Sequence, residues 1–374
     1  MVLSIKQVIL TSVLSVLAFA VQAQTQKVEV LEYHPAPGQF VNTLPAADEN
    51  STQDDVNQGC EEQLSGDGLV HLGTYGGYIT VKFDHPIENK PGSDILILGN
   101  GFYSNADPIY GKETIGGSIE PGIVYVGVGK NLEEAKWYEL AGSEYYTSEI
   151  HDFQITYYKP TAESGDHTQF SSSYDKYIKW ECSWTDKNGE HRDSTGYHMK
   201  NVSHKQTYWP IWEGKDELTF KGGKLPNNAI ETSGKGTYWI QYRYAKDAYG
   251  YVDASPATDS LYSSFDINWA VDDEGNQVVL DHIDFIRVKT GIFQYCGWLG
   301  ETSTEINSIA DLHLLEGYDD KPFVITPRQR PTTGITRPTI HVVEDDIYYN
   351  LMGQRVLNLV KGHIYVHKGR KVIY

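Results

Sequence analysis

The sequence predicts an all-β protein: an antiparallel β-sandwich followed by a short β-hairpin tail. Three observations predict it. Apolar residues alternate with polar ones at period 2 through several segments, as in Gly77-Tyr-Ile-Thr-Val-Lys-Phe83, where Ile79, Val81 and Phe83 share one face. The composition is rich in Tyr (27), Trp (8) and Gly (35), which favour strands and tight turns. Helical periodicity is almost missing, so alternating βα units are not expected.

The chain opens on a segment with the pattern of a secretory signal peptide, residues 1–23. Lys6 gives a short positive region, Val8 to Val21 is apolar, and Val21-Gln22-Ala23 offers small residues before a cleavage point at Gln24. No other stretch approaches the ~20 apolar residues that span a bilayer. The expected location is therefore the cell surface or extracellular space, with the periplasm as an alternative. Formal charge is −19, with 31 basic and 50 acidic residues and no basic run. That balance argues against nucleic acid or anionic lipid as partners. Three cysteines, Cys60, Cys182 and Cys296, permit at most one disulfide, and their spacing matches no metal motif.

Residues 24–67, with Pro35, Pro37, Pro45 and an acidic patch, read as an extended leader. Residues 68–318 read as one sandwich domain with an aromatic-rich insertion near 177–251. Asp94-Ile-Leu-Ile-Leu-Gly99 is a continuous apolar run and predicts a strand buried on both faces. Further strands are predicted at 122–128, 136–141, 153–158, 177–184, 237–244, 265–271 and 283–288, separated by turn-rich segments such as Lys187-Asn-Gly189. A short helix is predicted near Ser308 to Leu315. Residues 319–344 form a Pro-rich linker, and 345–374 a basic tail of two small hairpins.

Two resemblances rest on quoted residues. The tail, Tyr349-Asn-Leu-Met-Gly-Gln-Arg-Val356 with Lys361-Gly-His-Ile-Tyr-Val366, resembles the C-terminal segment of many secreted Bacteroidota-type proteins, which implies export to the surface. The central blocks Gly76–Asp84, Gly92–Phe102, Glu120–Val126, Trp137–Glu144, Phe265–Val271, Ile283–Val288 and Cys296–Glu301 resemble a family of bacterial cell surface proteins. That resemblance implies a galactose-binding-type jelly roll, the fold of many carbohydrate-binding modules. Relatives in surface nutrient-uptake systems, some for corrinoids, imply outer-membrane uptake machinery as a partner.

Candidate chemistry falls into three groups. Sugar rings stack their C–H faces on Trp and Tyr, so the turn-rich cluster Tyr208, Trp209 and Trp212, with Tyr249 and Tyr251, is the candidate ligand surface. Core packing is the competing reading for such aromatics, above all for Trp180 and Trp184. Jelly rolls of this kind often hold a structural calcium, and Asp94, Asn100, Asn105 and Asp107, with Asp266, Asp272 and Asp273, are the candidate oxygen ligands. Hydrolysis of a glycan needs two carboxylates, for which Glu139, Glu144 and Glu301 are the candidates. No nucleophile elbow, zinc helix or phosphate loop is present, and His198 and His204 read as exposed loop histidines. The function expected is non-catalytic capture of a carbohydrate or other small nutrient. The alternatives are glycan hydrolysis, corrinoid capture and a structural or adhesive role.

Overall fold

The computed structural model describes residues 26–66, 68–105, 115–161, 177–200, 206–259, 261–297 and 300–315, with short strands between 348 and 373. Within these the protein is all-β with little helix. In chain order the elements used below are β1 (Glu29–His34), α1 (Gln53–Ser65), β2 (Tyr78–Lys82), β3 (Ile95–Leu98), β4 (Gly122–Val128), β5 (Lys136–Leu140) and β6 (Ile150–Tyr158). They are followed by β7 (Tyr177–Thr185), β8 (His191–Met199), β9 (Glu217–Lys224), β10 (Ser264–Phe265), β11 (Ala270–Val271), β12 (Phe285–Thr290) and β13 (Ser308–Asp311).

The largest sheet has six strands in the order β1-β2-β12-β4-β5-β11, all pairs antiparallel. Period 2 gives it one apolar face: Ile79, Val81, Val124, Val126, Ile286, Val288 and Leu140 are all buried. Full burial of one such side chain contributes about 1.5–3 kcal/mol. The opposite face carries Tyr78, Thr80, Tyr125, Arg287, Lys289, Trp137 and Glu139. A second sheet, β8-β7-β6-β9, holds an aromatic core of Phe153, Tyr157, Tyr208, Trp209 and Phe220 against Tyr75. A third, β10-β3-β13, is short, and β3 is buried along its whole length, as its continuous apolar run predicts.

Two sequence expectations are revised. The leader is not extended throughout: β1 pairs with β2, and residues 53–65 form α1. Thr52 and Asp55 close a reciprocal capping box that satisfies the first backbone donors, and Val56, Cys60 and Leu64 give the helix one buried stripe. The helix expected at 308–315 is instead β13 followed by a single 3-10 turn, Leu312–Leu314, because Ser308 to Asp311 pair with β3. All three cysteines are buried and unbridged. Among the described residues no helix is long and apolar enough to cross a membrane.

The C-terminal unit is separate by contact. Its strands Tyr348–Tyr349, Arg355–Val356, Ile364–His367 and Arg370–Ile373 pair antiparallel, so the two expected hairpins join as one four-stranded sheet. The linker at 319–344 lies outside the described residues.

Candidate functional site: a cationic aromatic cleft

The polar face of the six-stranded sheet is built by register. Arg287 stands opposite Thr80 on one side and Tyr125 on the other, and Tyr125 stands opposite Glu139. Cross-strand partners share a face, so this row of side chains crosses four strands. Lys289 lies two residues along β12, opposite Tyr78. A bulge in β1 between Val30 and Glu32 skips Leu31 and sets Glu32 opposite Thr80. Glu32 thereby accepts from the Arg287 guanidinium at 2.7 Å, while Arg287 Nε donates to Thr80 at 2.8 Å. The guanidinium also packs on two rings, 4.1 Å from the Trp137 ring centroid and 4.7 Å from that of Tyr78.

Strand β9 closes the other side with Thr219, Phe220, Lys221 and Gly222. The space between is a cleft of about 330 Å³. Its lining is aromatic and cationic: Tyr78, Tyr125, Trp137 and Phe220 with Arg287, Lys289 and Lys221, and no carboxylate. Gly222 has φ 136°, and a Cβ there would stand 2.8 Å from Lys289 Nζ and 3.2 Å from the Tyr125 hydroxyl. Only glycine fits that position.

At the floor of the cleft, Lys289 is 5% exposed. Its ammonium donates to the Lys221 carbonyl at 2.6 Å and to the Tyr75 hydroxyl at 3.4 Å. Burial lowers its pKa to about 8. Glu139 and Glu149 face each other deeper still. Among the described residues no hydrogen bond reaches Glu139 Oε1 or either oxygen of Glu149, and His151 Nδ1 stands 3.7 Å from Glu149 Oε1. Burial raises Glu139 to about 7, and burial with the Glu139 charge raises Glu149 well above the carboxylate range. Gly223 makes room for this pair, since a Cβ would meet Glu149 Oε1 at 2.0 Å.

A second acidic cluster lies elsewhere in the same unit. Carboxylate oxygens of Glu120, Asp253 and Glu305 lie within 4.8 Å of one another, a set able to close on a metal ion. Asp253 is the one non-glycine described with positive φ, 57°. Its carboxylate accepts from Asn100 N–H at 2.6 Å and Glu305 N–H at 3.1 Å, which holds that backbone in place. His71 Nδ1 accepts from Gly73 N–H at 3.3 Å, so its Nε2–H donates to Glu305 at 3.0 Å as the neutral tautomer. Burial agrees, lowering His71 and raising Glu305 to about 8.

The residues singled out in the sequence fall differently from expectation. Tyr208, Trp209, Trp212, Tyr249 and Tyr251 are all buried, so none offers the free ring face that sugar stacking requires. Tyr208 and Trp209 fill the aromatic core, Trp212 stacks on Tyr33 at 6.0 Å, Tyr249 packs on Trp269, and the Tyr251 hydroxyl accepts from Glu144 N–H at 2.8 Å. Their role here is packing.

Among the described residues the candidate calcium ligands form no three-carboxylate cluster, although the Asp94 charge reaches Asp266 and helps raise it. Asp94 accepts from Lys90 N–H, Ile267 N–H and His313 Nε2 at 2.8, 2.8 and 3.1 Å, and Asp266 caps the 3-10 turn after β10. The Asn100 side chain is exposed, and Asp107 lies outside the described residues. Of the candidate acids, Glu139 belongs to the pair behind the cleft, Glu144 bonds Ser148, and Glu301 accepts from Gln39 N–H. His198 is not an exposed loop residue: it sits in β8, 3% exposed, with Nε2 3.9 Å from Glu301 Oε2. His204 lies outside the described residues.

Sequence reasoning missed Arg287, Lys289, Tyr125, Trp137 and Glu149 as site residues. The signal was available in β2, whose alternation assigns Tyr78 and Thr80 to a face that is not the core. The chain matches no family model. It matches no curated protein.

Proposed function

We propose that the protein captures a carbohydrate without transforming it, and that the sugar lies in the cleft between β9 and the six-stranded sheet. The observation that carries this reading is the cleft lining: half-buried aromatic rings at Tyr78 and Trp137, beside a guanidinium whose orientation is fixed before any ligand arrives. Sugars bind through that combination of C–H stacking and oriented donors. A cleft of about 330 Å³ falls at the small end of ligand sites, suited to one or two rings. Export to the cell surface, a galactose-binding-type jelly roll and delivery to outer-membrane uptake machinery belong to the same proposal. Corrinoid capture and adhesion are the other non-catalytic readings. A glycan array with a corrinoid titration tests the assignment. Binding that survives Trp137→Ala unchanged would remove the cleft from consideration.

Hydrolysis is the second reading, favoured by the Glu139–Glu149 pair. Retaining glycosidases hold their carboxyls about 5–5.5 Å apart and inverting ones farther, to admit a sugar or a water between them. Neither of these carboxyls lines the cleft, so a sugar held there does not lie between them. Capture is therefore preferred. New reducing ends released from a bound glycan, and lost in Glu149→Gln, would reverse that preference. The calcium expectation is tested by thermal unfolding with and without chelator, where an unchanged midpoint means no structural metal.

A further inference from the structure

From the charge of the cleft we infer that its ligand is an acidic saccharide, held by an anionic group placed between Lys289, Arg287 and Lys221. This rests on the capture reading above and narrows it to a class of sugar. The chain carries 50 acidic against 31 basic residues, so a surface patch drawn at random is negative. The lining residues reverse that bias: Arg287, Lys289 and Lys221 and no carboxylate, with Lys221 turning its carbonyl to Lys289 while its charge also acts on Asp152. The nearby carboxylates are already committed. Glu32 accepts from Arg287 at 2.7 Å, and Glu213 is held by Lys215 at 2.6 Å and His34 at 3.1 Å. Behind the wall, burial and mutual repulsion raise Glu139 and Glu149 and disfavour two charges there, and the charge that remains faces Lys289.

Donor geometry points the same way. The Lys289 ammonium has three N–H donors and two protein acceptors, the Lys221 carbonyl and the Tyr75 hydroxyl. Arg287 uses Nε and one terminal nitrogen on Thr80 and Glu32, leaving the other terminal nitrogen. Lys289 and Arg287 are two apart on β12 and therefore share a face. Glu139 and Glu149 already act on Lys289 as opposite charges from behind, so what an anion in the cleft adds is an acceptor for the spare donor. Gly222 keeps Lys289 reachable, since a side chain there would stand against Nζ.

The test is calorimetric titration of the full chain with a panel of hexuronates and sialic acid, each beside its own methyl ester, which keeps the ring and removes the charge. Galactose 6-sulfate, run beside galacturonate, separates a sulfate from a carboxylate as the anionic group. At least one acid should bind about tenfold or more tighter than its neutral partner, as expected for one charge-assisted hydrogen bond. That preference should shrink in Lys221→Ala and vanish in Lys289→Met. Lys221 is exposed, so its variant decides the matter even if Lys289→Met does not fold. Equal affinity for acid and ester, with binding still lost in Trp137→Ala, overturns the charge inference and leaves the capture reading intact. An acid preference untouched by both lysine variants overturns it as well. A folded protein that binds no sugar of either kind overturns both.

Discussion

Gly222 is the residue on which the cleft's shape turns. Its φ of 136° suits glycine alone, and a methyl group there would meet Lys289 Nζ at 2.8 Å. Gly222→Ala should therefore cost about 1–3 kcal/mol in backbone strain and displace Lys289 from the cleft. Chemical denaturation reads the first effect and sugar titration the second; unchanged binding would mean that Lys289 does not contact the ligand. His313 supplies a second residue-scale prediction, in stability. It lies between Asp311 at 2.9 Å and Asp94 at 3.1 Å, and these hydrogen bonds raise its pKa to about 9 against the cost of burial. A raised folded-state pKa means the stabilisation is complete below about pH 6.5 and disappears as pH climbs through about 9. His313→Asn should leave Asp94 without its cation, cost on the order of 3 kcal/mol at pH 6, and flatten the stability profile between pH 7 and 9. A variant as pH-dependent as the parent in that window would refute the assignment.

Elements were legible to the extent that one face of each was apolar. β2 announces itself by strict alternation and β3 by an unbroken apolar run, and both occupy their predicted places. What alternation leaves open is the use of the other face. Tyr78 and Thr80 are identifiable as non-core from sequence alone, but Arg287, Trp137 and Tyr125 join them only through the strand order β2-β12-β4-β5, which pairs residues far apart in the chain. The aromatic insertion misleads for a related reason: Tyr208 and Trp209 look alike whether they face water or a core, and burial decides. Helix α1 escaped because its stripe is narrow, three apolar residues at 56, 60 and 64 within an acidic, Pro-flanked segment. Its start was nevertheless encoded in the Thr52–Asp55 capping box. Thr52→Ala should cost about 1 kcal/mol, measured by urea denaturation, whereas an unaffected midpoint would mean α1 is held by tertiary packing without help from its cap.

Across the whole molecule, the unusual expense is buried acid rather than buried base. Glu120, Asp253 and Glu305 in one cluster, and Glu139 and Glu149 in another, all have carboxyls raised by burial. Each binds its proton more tightly folded than unfolded, so the sign is fixed: stability is greatest below about pH 4.5 for these groups and is lost as pH rises through about 7 for Glu139 and about 8 for Glu305. His71 and His151 work in the opposite sense, because burial lowers both and penalises the fold at acid pH, and Lys224 and Lys289, lowered to about 8, join them only at the upper end of the range. Among the described residues these are outweighed by the five carboxyls and by Asp266, which burial raises to about 7. The unfolding temperature should therefore fall as pH is raised from about 5 to about 8, a window in which exposed carboxylates no longer titrate. Glu305→Gln keeps the shape of the side chain and removes its ionisation, so it should reduce that fall and gain most at pH 8. A melting temperature that instead rises over the same interval would mean that the carboxyls are ionised in the fold and neutralised by something other than protons.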